Sequence, residues 1–251
     1  KGRSTVDHIF TLYAVVEKQL LSKRKLYAAF VDFRKAYDSV NRSLLWVAIH
    51  EAGVKGKMFD MLRNMYSKVS ACVRCNAGST TEYFECLQGL KQGCVASPIL
   101  FSLFINSLAR EVLSRGRHGI SLSPHQVELF VLLFADDLLL LSDTVVGLQN
   151  QISVLYEAAL RARLSVNTDK TKVVVFRNGG YLAEREVWYY GREKLEVVGS
   201  YKYLGLVFST RLSCNVALRD VEPRAKRGTI EILCALRRMN CNAPTIFFKL
   251  F

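Results

Sequence analysis

Two adjacent aspartates interrupt the most apolar part of the chain. Asp136 and Asp137 stand between the segments LFVLLFA and LLLLS, where the pattern otherwise predicts buried strands. Ionised carboxylates are costly to bury unless a cation compensates them, and a tight turn at the rim of a sheet lowers that cost by exposing the pair. The pattern predicts either a polar β-turn between two core strands or a pair of acids placed for chemistry.

A third acid, Asp32, lies near the end of another apolar run, Leu26 to Phe33. If these strands lie side by side, three carboxylates converge at one edge of a sheet, where like charges raise one another's pKa. Divalent cations relieve that repulsion, and a site made only of oxygen ligands suits Mg²⁺. Two such ions can activate an attacking hydroxyl and stabilise a leaving pyrophosphate. For Asp32 taken alone, a helix N-cap or a loop acid is the alternative interpretation.

Hydrophobic periodicity predicts the elements that must position these acids. Helices are predicted at 5–22, 42–52, 57–68, from Pro98 to about Ser114, at 145–163 and at 213–239. Strands are predicted at 26–33, 127–134, 138–142 and 172–177, with a hairpin over 69–87 and two or three short strands within 187–209. Hairpins outnumber regular βαβ units in this order, which favours an α+β fold over a doubly wound sheet.

Composition narrows the class of partner. Half of the residues are apolar and 23% are charged, which is typical of a globular protein. The formal net charge of +13 predicts an anionic partner, either nucleic acid or an anionic membrane surface, with a merely solvated basic surface as the alternative. The longest apolar stretch, 127–141, contains both aspartates and is short for a spanning helix, so no membrane segment is predicted.

The cysteines and histidines predict no separate chemistry. Seven cysteines show no disulfide framework and nothing resembles a signal peptide, so a reducing intracellular compartment is expected. Cys72 and Cys75 form one CxxC pair without a second ligand pair, which favours a β-strand over a zinc site. The histidines, at positions 8, 50, 118 and 125, lack ligand or triad spacing and are interpreted as structural or exposed.

Six segments in order resemble the motifs of reverse transcriptases, in the form found in non-LTR (LINE-type) retrotransposons. The segments FVDFRKAYD (30–38), GLKQGCVASP (89–98) and FADD (134–137) resemble motifs A, B and C. KGRSTVD (1–7) resembles the end of the second motif. LSVNTDKT (164–171) resembles motif D, and YKYLG (201–205) resembles motif E. The tetrapeptide FADD is weak alone, whereas the ordered set is highly specific.

The resemblance implies a role for each matching catalytic residue. Asp32 and Asp136 would bridge two Mg²⁺ ions, with Asp137 as a supporting ligand. Lys170 would protonate the pyrophosphate as a general acid, and Lys172 competes for that role. Either lysine could instead be a solvated surface residue.

The resemblance also implies binding positions. Tyr37 would lie against C2′ of the incoming sugar and leave no room for a 2′-hydroxyl, which selects dNTPs over rNTPs. The other implied nucleotide contacts are Arg3, Phe33, Arg34, Gln92 and Gly93, and the implied primer grip is Tyr203, Leu204 and Gly205. Tyr37 could instead be a core aromatic residue. Residues 92–93 could be an ordinary loop, and residues 203–205 could be part of a hairpin strand.

The implied fold is an α+β polymerase palm with an antiparallel sheet and packed helices, partial fingers and the start of a thumb. Residues 1–25 would be partial fingers, 26–210 the palm with inserted fingers elements, and 211–251 a truncated thumb. In the thumb, basic side chains either contact phosphates or form a solvated helix face, namely Arg219, Arg224, Lys226, Arg227, Arg237 and Arg238. The chain begins without Met and lacks the earlier fingers segments, so a fragment is expected.

The implied activity is RNA-directed DNA synthesis, in which dNTPs are added to a primer 3′-hydroxyl by two-metal phosphoryl transfer. RNA template, DNA primer and dNTPs would be the partners, and nuclear action follows from the family. The alternatives are an inert retrotransposon fragment that only binds nucleic acid, and an RNA-dependent RNA polymerase. Tyr37 argues against the latter, because an RNA polymerase should hydrogen-bond the 2′-hydroxyl. The oligomeric state is not predicted.

Overall fold

A computed structural model describes residues 4–75, 79–115, 119–121 and 128–238. Arg3, His118 and His125, singled out above, lie outside these residues, as do the side chains of Arg237 and Arg238. Within the described chain no helix is both long enough and apolar enough to cross a membrane.

The helices of the described residues are α1 Thr5–Leu21, α2 Arg42–Glu51, α3 Gly56–Met65, α4 Ser97–Arg115, α5 Val145–Ala162 and α6 Cys214–Arg238. The first strands are β1 Leu26–Val31, β2 Ser70–Ala71, β3 Phe84–Glu85, β4 Ile120–Ser121, β5 Glu128–Leu129, β6 Val131–Phe134 and β7 Asp137–Ser142. The later strands are β8 Lys172–Phe176, β9 Tyr189–Tyr190, β10 Glu193–Lys194, β11 Glu196–Val198, β12 Ser200–Tyr203 and β13 Leu206–Ser209.

A mixed sheet of five strands forms the centre, in the order β11-β8-β1-β7-β6. The strands β8, β1, β7 and β6 pair antiparallel, which confirms the predicted antiparallel sheet for this part. The edge strand β11 departs from it and pairs with β8 in parallel. In this sheet β6 and β7 form a hairpin, whereas the other three neighbouring pairs, β11-β8, β8-β1 and β1-β7, are joined through longer connections.

Both faces of the sheet are covered, which explains why β1 is apolar at every position. Tyr27, Ala29 and Val31 face a core shared with α2, α4 and α5. Leu26, Ala28 and Phe30 face a second core, to which α1 and the β12–β13 hairpin contribute. Alternate side chains of a strand point to opposite faces, so one short strand organises both cores.

The predicted helices are confirmed, with ends that differ by a few residues. Ser4 caps α1 through a reciprocal capping box with Asp7. Of the hairpin predicted over 69–87, the described residues pair Ser70 with Glu85 and Ala71 with Phe84, and an isolated bridge joins Arg74 and Thr80. The region 187–209 holds five short strands, where two or three were predicted, because it is interrupted at four places, namely Gly191–Arg192, Leu195, Gly199 and Leu204–Gly205.

Candidate active site

The β6–β7 hairpin presents the aspartate doublet at the rim of the central sheet. Phe134 pairs with Asp137, so Ala135 and Asp136 form the connecting turn. Ala135 has φ +52°, an uncommon value for a residue with a Cβ, and such conformations cluster at functional sites. Both aspartates are exposed, while Leu138 to Ser142 are buried behind them.

The register of β1 with β7 brings Asp32 to the same edge. The last pair of these strands is Val31 with Leu138, and the next position on each strand is Asp32 and Asp137. Asp32 is half-buried and directly follows the end of β1. Side-by-side strands therefore place the first acid beside the hairpin that carries the other two.

Electrostatics show that the three acids share one environment. Partial burial of its carboxyl raises the pKa of Asp137, and the negative charges of Asp136 and Asp32 raise it further. The pKa of Tyr37 is raised by burial and by Asp136. The pKa of Tyr201 is raised by burial, by Asp137 and by Asp32. The like charges at this edge thus create a site that favours a bound cation.

The donor set suits a hard divalent cation, because it consists of carboxylate oxygens. In the part of the chain that the structure describes, no group of three or more Asp, Glu, His or Cys side chains is arranged as a complete metal cage. Mg²⁺ does not need such a cage, since it commonly binds one or two carboxylates together with substrate phosphates and waters. The acids therefore fit a metal site that is completed by a phosphorylated substrate.

A cleft of about 850 Å³ opens beside the acids. We call it the acid cleft; it is lined by Asp32, Phe33, Arg34, Lys35, Ala36, Asp38, Ser39, Gln88, Asp136, Asn167, Asp169 and Lys170. Lys170 and Arg34 are exposed cations that line this cleft together with the carboxylates. Such a mixture of charges can hold a metal and a polyanion in the same space.

Main-chain hydrogen bonds join the segment after β1 to the loop before β8. The N–H of Asn167 donates to the carbonyl of Asp32 at 2.7 Å, and the N–H of Arg34 donates to the carbonyl of Ser165 at 2.7 Å. The N–H of Asp32 donates to the hydroxyl of Thr171 at 3.2 Å. The loop that carries Lys170 is therefore fixed relative to Asp32.

The two lysines that compete for the general-acid role have different surroundings. Lys170 lines the acid cleft. Lys172 lies in β8, where its Nζ contacts Glu196 Oε2 at 2.5 Å. The geometry thus favours Lys170 as the lysine that faces a bound polyphosphate.

Tyr37 lies next to the acids but on the other side of the turn. Its ring stacks on Phe101 of α4, with centroids 4.4 Å apart. It lines a separate cleft of about 570 Å³ together with Phe134 and Ala135. An aromatic ring held rigidly beside the aspartate turn can limit the shape of what binds there.

Gln92 and Gly93 are exposed in the loop before α4 and do not line the acid cleft. The side-chain Nε2 of Gln92 donates to Asp38 Oδ1 at 2.8 Å, and Asp38 itself lines the acid cleft. Gln92 lines an adjoining cleft of about 620 Å³. Gln92 is thus connected to the acid cleft through Asp38, whereas Gln88 of the same loop lines the cleft itself.

The predicted primer grip forms the tip of the β12–β13 hairpin. Tyr203 is buried against Phe30, and its hydroxyl has no hydrogen-bond partner among the described residues. Leu204 and Gly205, with φ +47° and +90°, form the turn, where glycine adopts the left-handed conformation without strain. Arg224 of α6 donates to the carbonyl of Gly205 at 2.9 Å. The turn residues, rather than Tyr203, are therefore placed to contact a ligand.

Some basic side chains of helix α6 form ion pairs within the protein. Arg224 pairs with Asp220, which Lys202 also contacts at 3.1 Å, and Lys226 lies 2.6 Å from Glu222. Arg219 and Arg227 are exposed. Arg224 and Lys226 are therefore engaged within the protein, whereas Arg219 and Arg227 are free of such ion pairs among the described residues, and phosphate contact by this helix stays a prediction.

Three residues that position the site were not singled out from the sequence. Asp38 holds Gln92, Thr171 accepts from Asp32, and Arg42 binds three carbonyls of the segment before Leu90. Asp38 and Thr171 stand inside segments that resemble motifs A and D, which was the available signal. Arg42 lies outside every motif, and only its long-range contacts reveal it.

This arrangement of sheet and helices is that of a nucleic-acid polymerase palm, and solved telomerase structures share the fold. Apo telomerase from Candida tropicalis, truncated from its C-terminal domain, matches with a TM-score of 0.56 and 14% identity, over 81% of this chain and 38% of that one. Telomerase from Candida albicans, in complex with a TWJ fragment of telomeric RNA, matches with a TM-score of 0.56 and 14% identity, over 84% and 34%. These likenesses confirm the predicted fold.

Residues 1–208 match the family described as Reverse transcriptase (RNA-dependent DNA polymerase), and the chain belongs to that family. An R2 retrotransposable-element Pol polyprotein from Bradysia coprophila is 28% identical over 211 residues, covering 81% of this chain and 24% of that protein. The R2DM Pol polyprotein from Drosophila melanogaster is 28% identical over 217 residues, covering 82% and 20%. The predicted kinship with non-LTR retrotransposons is confirmed. The chain spans a quarter or less of the length of these two relatives, and reverse transcriptases as a family use divalent metal ions.

Proposed function

We propose that this chain is the catalytic core of an RNA-directed DNA polymerase that adds dNTPs to a primer 3′-hydroxyl on an RNA template. The observation that carries the proposal is the convergence of Asp32, Asp136 and Asp137 at one sheet edge beside the acid cleft. Their mutual repulsion favours bound cations, and the cleft carries cationic groups suited to a triphosphate. Phosphoryl transfer depends mainly on such positioning and electrostatics.

In the proposed reaction the primer 3′-hydroxyl loses its proton to solvent, a bond forms between its oxygen and the α-phosphorus, and the bond from that phosphorus to the leaving pyrophosphate breaks. Asp32 and Asp136 would hold two Mg²⁺ ions, with Asp137 in support; when bound, these ions lower the pKa of the attacking hydroxyl and stabilise the leaving group. The main chain at Phe33 and Arg34 faces the triphosphate. Lys170 donates a proton to the departing pyrophosphate.

Specificity in this proposal comes from groups around the acids. Tyr37 limits the space at C2′ and so favours dNTPs, with its orientation fixed by stacking on Phe101. Gln92 and Gly93 contact the incoming nucleotide and template, and Arg3 contacts the triphosphate. Leu204 and Gly205, on the strand pair that contains Tyr203, contact the primer. RNA template, DNA primer and dNTPs are thus the proposed ligands, and a telomerase with this fold was solved with RNA.

We also propose that residues 1–25 belong to the fingers, 26–210 to the palm with inserted fingers elements and 211–251 to the start of the thumb. The contacts of α6 with the β12–β13 hairpin support a boundary near 211. For the full-length protein we propose nuclear action, since its R2 relatives are retrotransposable elements. Imaging of a tagged full-length protein tests this, and exclusion from the nucleus would contradict it.

Primer extension tests the function. An RNA template with an annealed DNA primer is incubated with Mg²⁺ and either dNTPs or rNTPs, using this chain, its Asp136→Asn variant and the matched control Asp143→Asn. Asp143 is an exposed acid just beyond the far end of β7. We expect extension with dNTPs that Asp136→Asn lowers by at least about 10³-fold and Asp143→Asn leaves unchanged.

Each other outcome has a distinct meaning. Extension that survives Asp136→Asn contradicts the assignment of the acids. Efficient extension with rNTPs indicates an RNA polymerase. Binding of the template and primer without extension by the parent chain indicates a module that only binds nucleic acid.

A further inference from the structure

The guanidinium of Arg42 donates hydrogen bonds to three carbonyls of one short main-chain segment. As the first residue of α2, it donates from Nη1 to the carbonyl of Cys86 at 2.7 Å, from Nε to Gly89 at 3.0 Å and from Nη2 to Gln88 at 3.2 Å. The planar fork of arginine fixes both position and orientation when several of its nitrogens are used together. Because the three partners are neutral carbonyls, the positive charge of Arg42 is not neutralised, while the hydrogen bonds restrict the movement of the loop.

The guanidinium of Arg42 also contacts an aromatic ring, that of Tyr66. The guanidinium carbon of Arg42 lies 5.2 Å from the ring centroid of Tyr66, and the Tyr66 hydroxyl lies 3.2 Å from Ser97 Oγ in a buried contact. Among the described residues no salt bridge involves Arg42. Its strongest contacts are therefore the carbonyls and the ring.

The stretch that Arg42 holds is also the place where the Tyr37 segment and the Gln92 loop touch. The N–H groups of Gly89 and Leu90 donate to the carbonyls of Val40 and Tyr37, both at 2.9 Å. Two residues further along, Gln92 bonds Asp38. A shift of this stretch would consequently move both segments relative to each other.

We propose that Arg42 is a positioning residue that fixes the segment 86–92 against the segment 37–40, and thereby sets the relative positions of Tyr37 and Gln92 at the nucleotide. This inference rests on the proposed function, because the contacts of Arg42 can affect catalysis only if a nucleotide binds beside Tyr37 and Gln92. Arg42 acts through these two segments and touches no acid of the site.

The same residue could instead be a simple phosphate contact, since Lys68 and Lys91 line the same adjoining cleft. Substitution by lysine separates the two roles. A lysine keeps the positive charge and serves as a phosphate contact, but it cannot bind three carbonyls in the fixed directions of the fork. Arg42→Lys should thus be damaging only if the fork positions the loop.

The test compares Arg42→Lys with Arg63→Lys, the same substitution at an exposed arginine of α3. Single-nucleotide extension gives kcat and KM for the dNTP, amide hydrogen exchange reports on the segment 86–92, and thermal melting reports on global folding. For Arg42→Lys we expect KM to rise about 10-fold to 100-fold with a much smaller change in kcat. Exchange at Gly89 and Leu90 should become faster, and Arg63→Lys should behave like the parent chain.

Hydrogen exchange needs no catalysis, so its result does not depend on the proposed function. If the parent chain extends no primer, the proposed function fails, while unchanged exchange in Arg42→Lys overturns the anchoring role in its own right. Faster exchange combined with an unchanged KM also overturns the proposal, because the loop would then be anchored without effect on the nucleotide. A fall in kcat without a rise in KM contradicts it as well.

Discussion

The backbone N–H of Asp32 donates a hydrogen bond of 3.2 Å to the side-chain hydroxyl of Thr171, which is 1% exposed. Asp32, which follows β1, therefore takes part of its orientation from the loop that carries Lys170. Thr171→Val keeps the shape of the side chain but removes the acceptor, leaving a partly buried N–H unpaired.

For Thr171→Val we expect a loss of about 1–3 kcal/mol in the free energy of unfolding, because an unsatisfied donor keeps its desolvation cost. We also expect a fall in kcat, since Asp32 is no longer held. Urea denaturation and primer extension measure the two effects. Thr168→Val, in the same loop, is the control, and equal behaviour of the two variants would contradict the role of Thr171.

Tyr37→Ala should weaken sugar discrimination. If the ring occupies the space of a 2′-hydroxyl, its removal raises rNTP incorporation relative to dNTP by roughly 10-fold to 100-fold, the range expected for one group in a pocket. Tyr37→Phe keeps the ring and its stacking on Phe101 and should retain the parent ratio. The measurement is the ratio of the kcat/KM values for the dNTP and the rNTP. An unchanged ratio in Tyr37→Ala would contradict the role of Tyr37 in excluding the 2′-hydroxyl.

Lys170→Ala and Lys172→Ala should differ. Lys170 faces the acid cleft, so its loss should lower kcat by about 10²-fold or more as expected for a general acid. Lys172 pairs with Glu196 near the surface, so its loss should cost about 1 kcal/mol or less of stability and little activity. Extension rates and melting curves of both variants are compared; a reversed order would transfer the role to Lys172.

Asp137→Asn should stabilise the metal-free protein at neutral pH. Burial and the charges of Asp136 and Asp32 raise the pKa of Asp137 above its usual value. For an acid whose pKa is higher in the folded state, the contribution to stability is complete below the unfolded pKa and is lost as the pH rises through the folded pKa.

The ionised Asp137 is consequently unfavourable at pH 7.5 in EDTA. We expect Asp137→Asn to raise the free energy of unfolding there by on the order of 1 kcal/mol or less, since the group keeps exposed surface. The gain should disappear below about pH 3, where the carboxyl is protonated in both states. Asp143→Asn is the control, and a gain that does not change with pH would contradict the electrostatic cause.

Gly89→Ala should be more destabilising than Gly53→Ala. Both glycines have positive φ, +82° and +91°, which costs an alanine roughly 1–2 kcal/mol. A Cβ on Gly89 would also lie 2.6 Å from the carbonyl oxygen of Asp38, whereas a Cβ on Gly53 meets nothing within 4 Å. Urea denaturation should show a further loss of about 1–3 kcal/mol for Gly89→Ala from the forced shift of main chain; equal losses would mean that the contact relaxes freely.

The central hairpin and its acids were predictable because local pattern alone defines them. Asp136 and Asp137 interrupt an apolar run, and a charged pair in that context can be accommodated only at a turn or rim. The helices were equally accessible, since α1 and α5 carry their periodicity and caps within a few residues. Family, fold and activity class followed from motifs whose order is itself a strong signal.

Contacts between distant segments were not predictable in the same way. Nothing adjacent to Arg42 indicates that its partners lie more than forty positions away at 86–89. The parallel pairing of β11 with β8 joins two separate segments, and the three residues of β11 do not indicate its direction. The burial of Tyr203 depends on Phe30 across the second core, so the sequence YLG alone did not separate core from surface.

The position of the acids within the sheet has a consequence for how the protein fails. Asp32 follows β1 and Asp137 begins β7, and each of these strands is flanked by a partner on both sides. Local opening of such strands requires nearly the full free energy of unfolding, whereas surface loops open at small cost. Mild heating or low denaturant should therefore disturb the surface loops first, and under the proposed function a sample would lose nucleotide discrimination before its three acids separate.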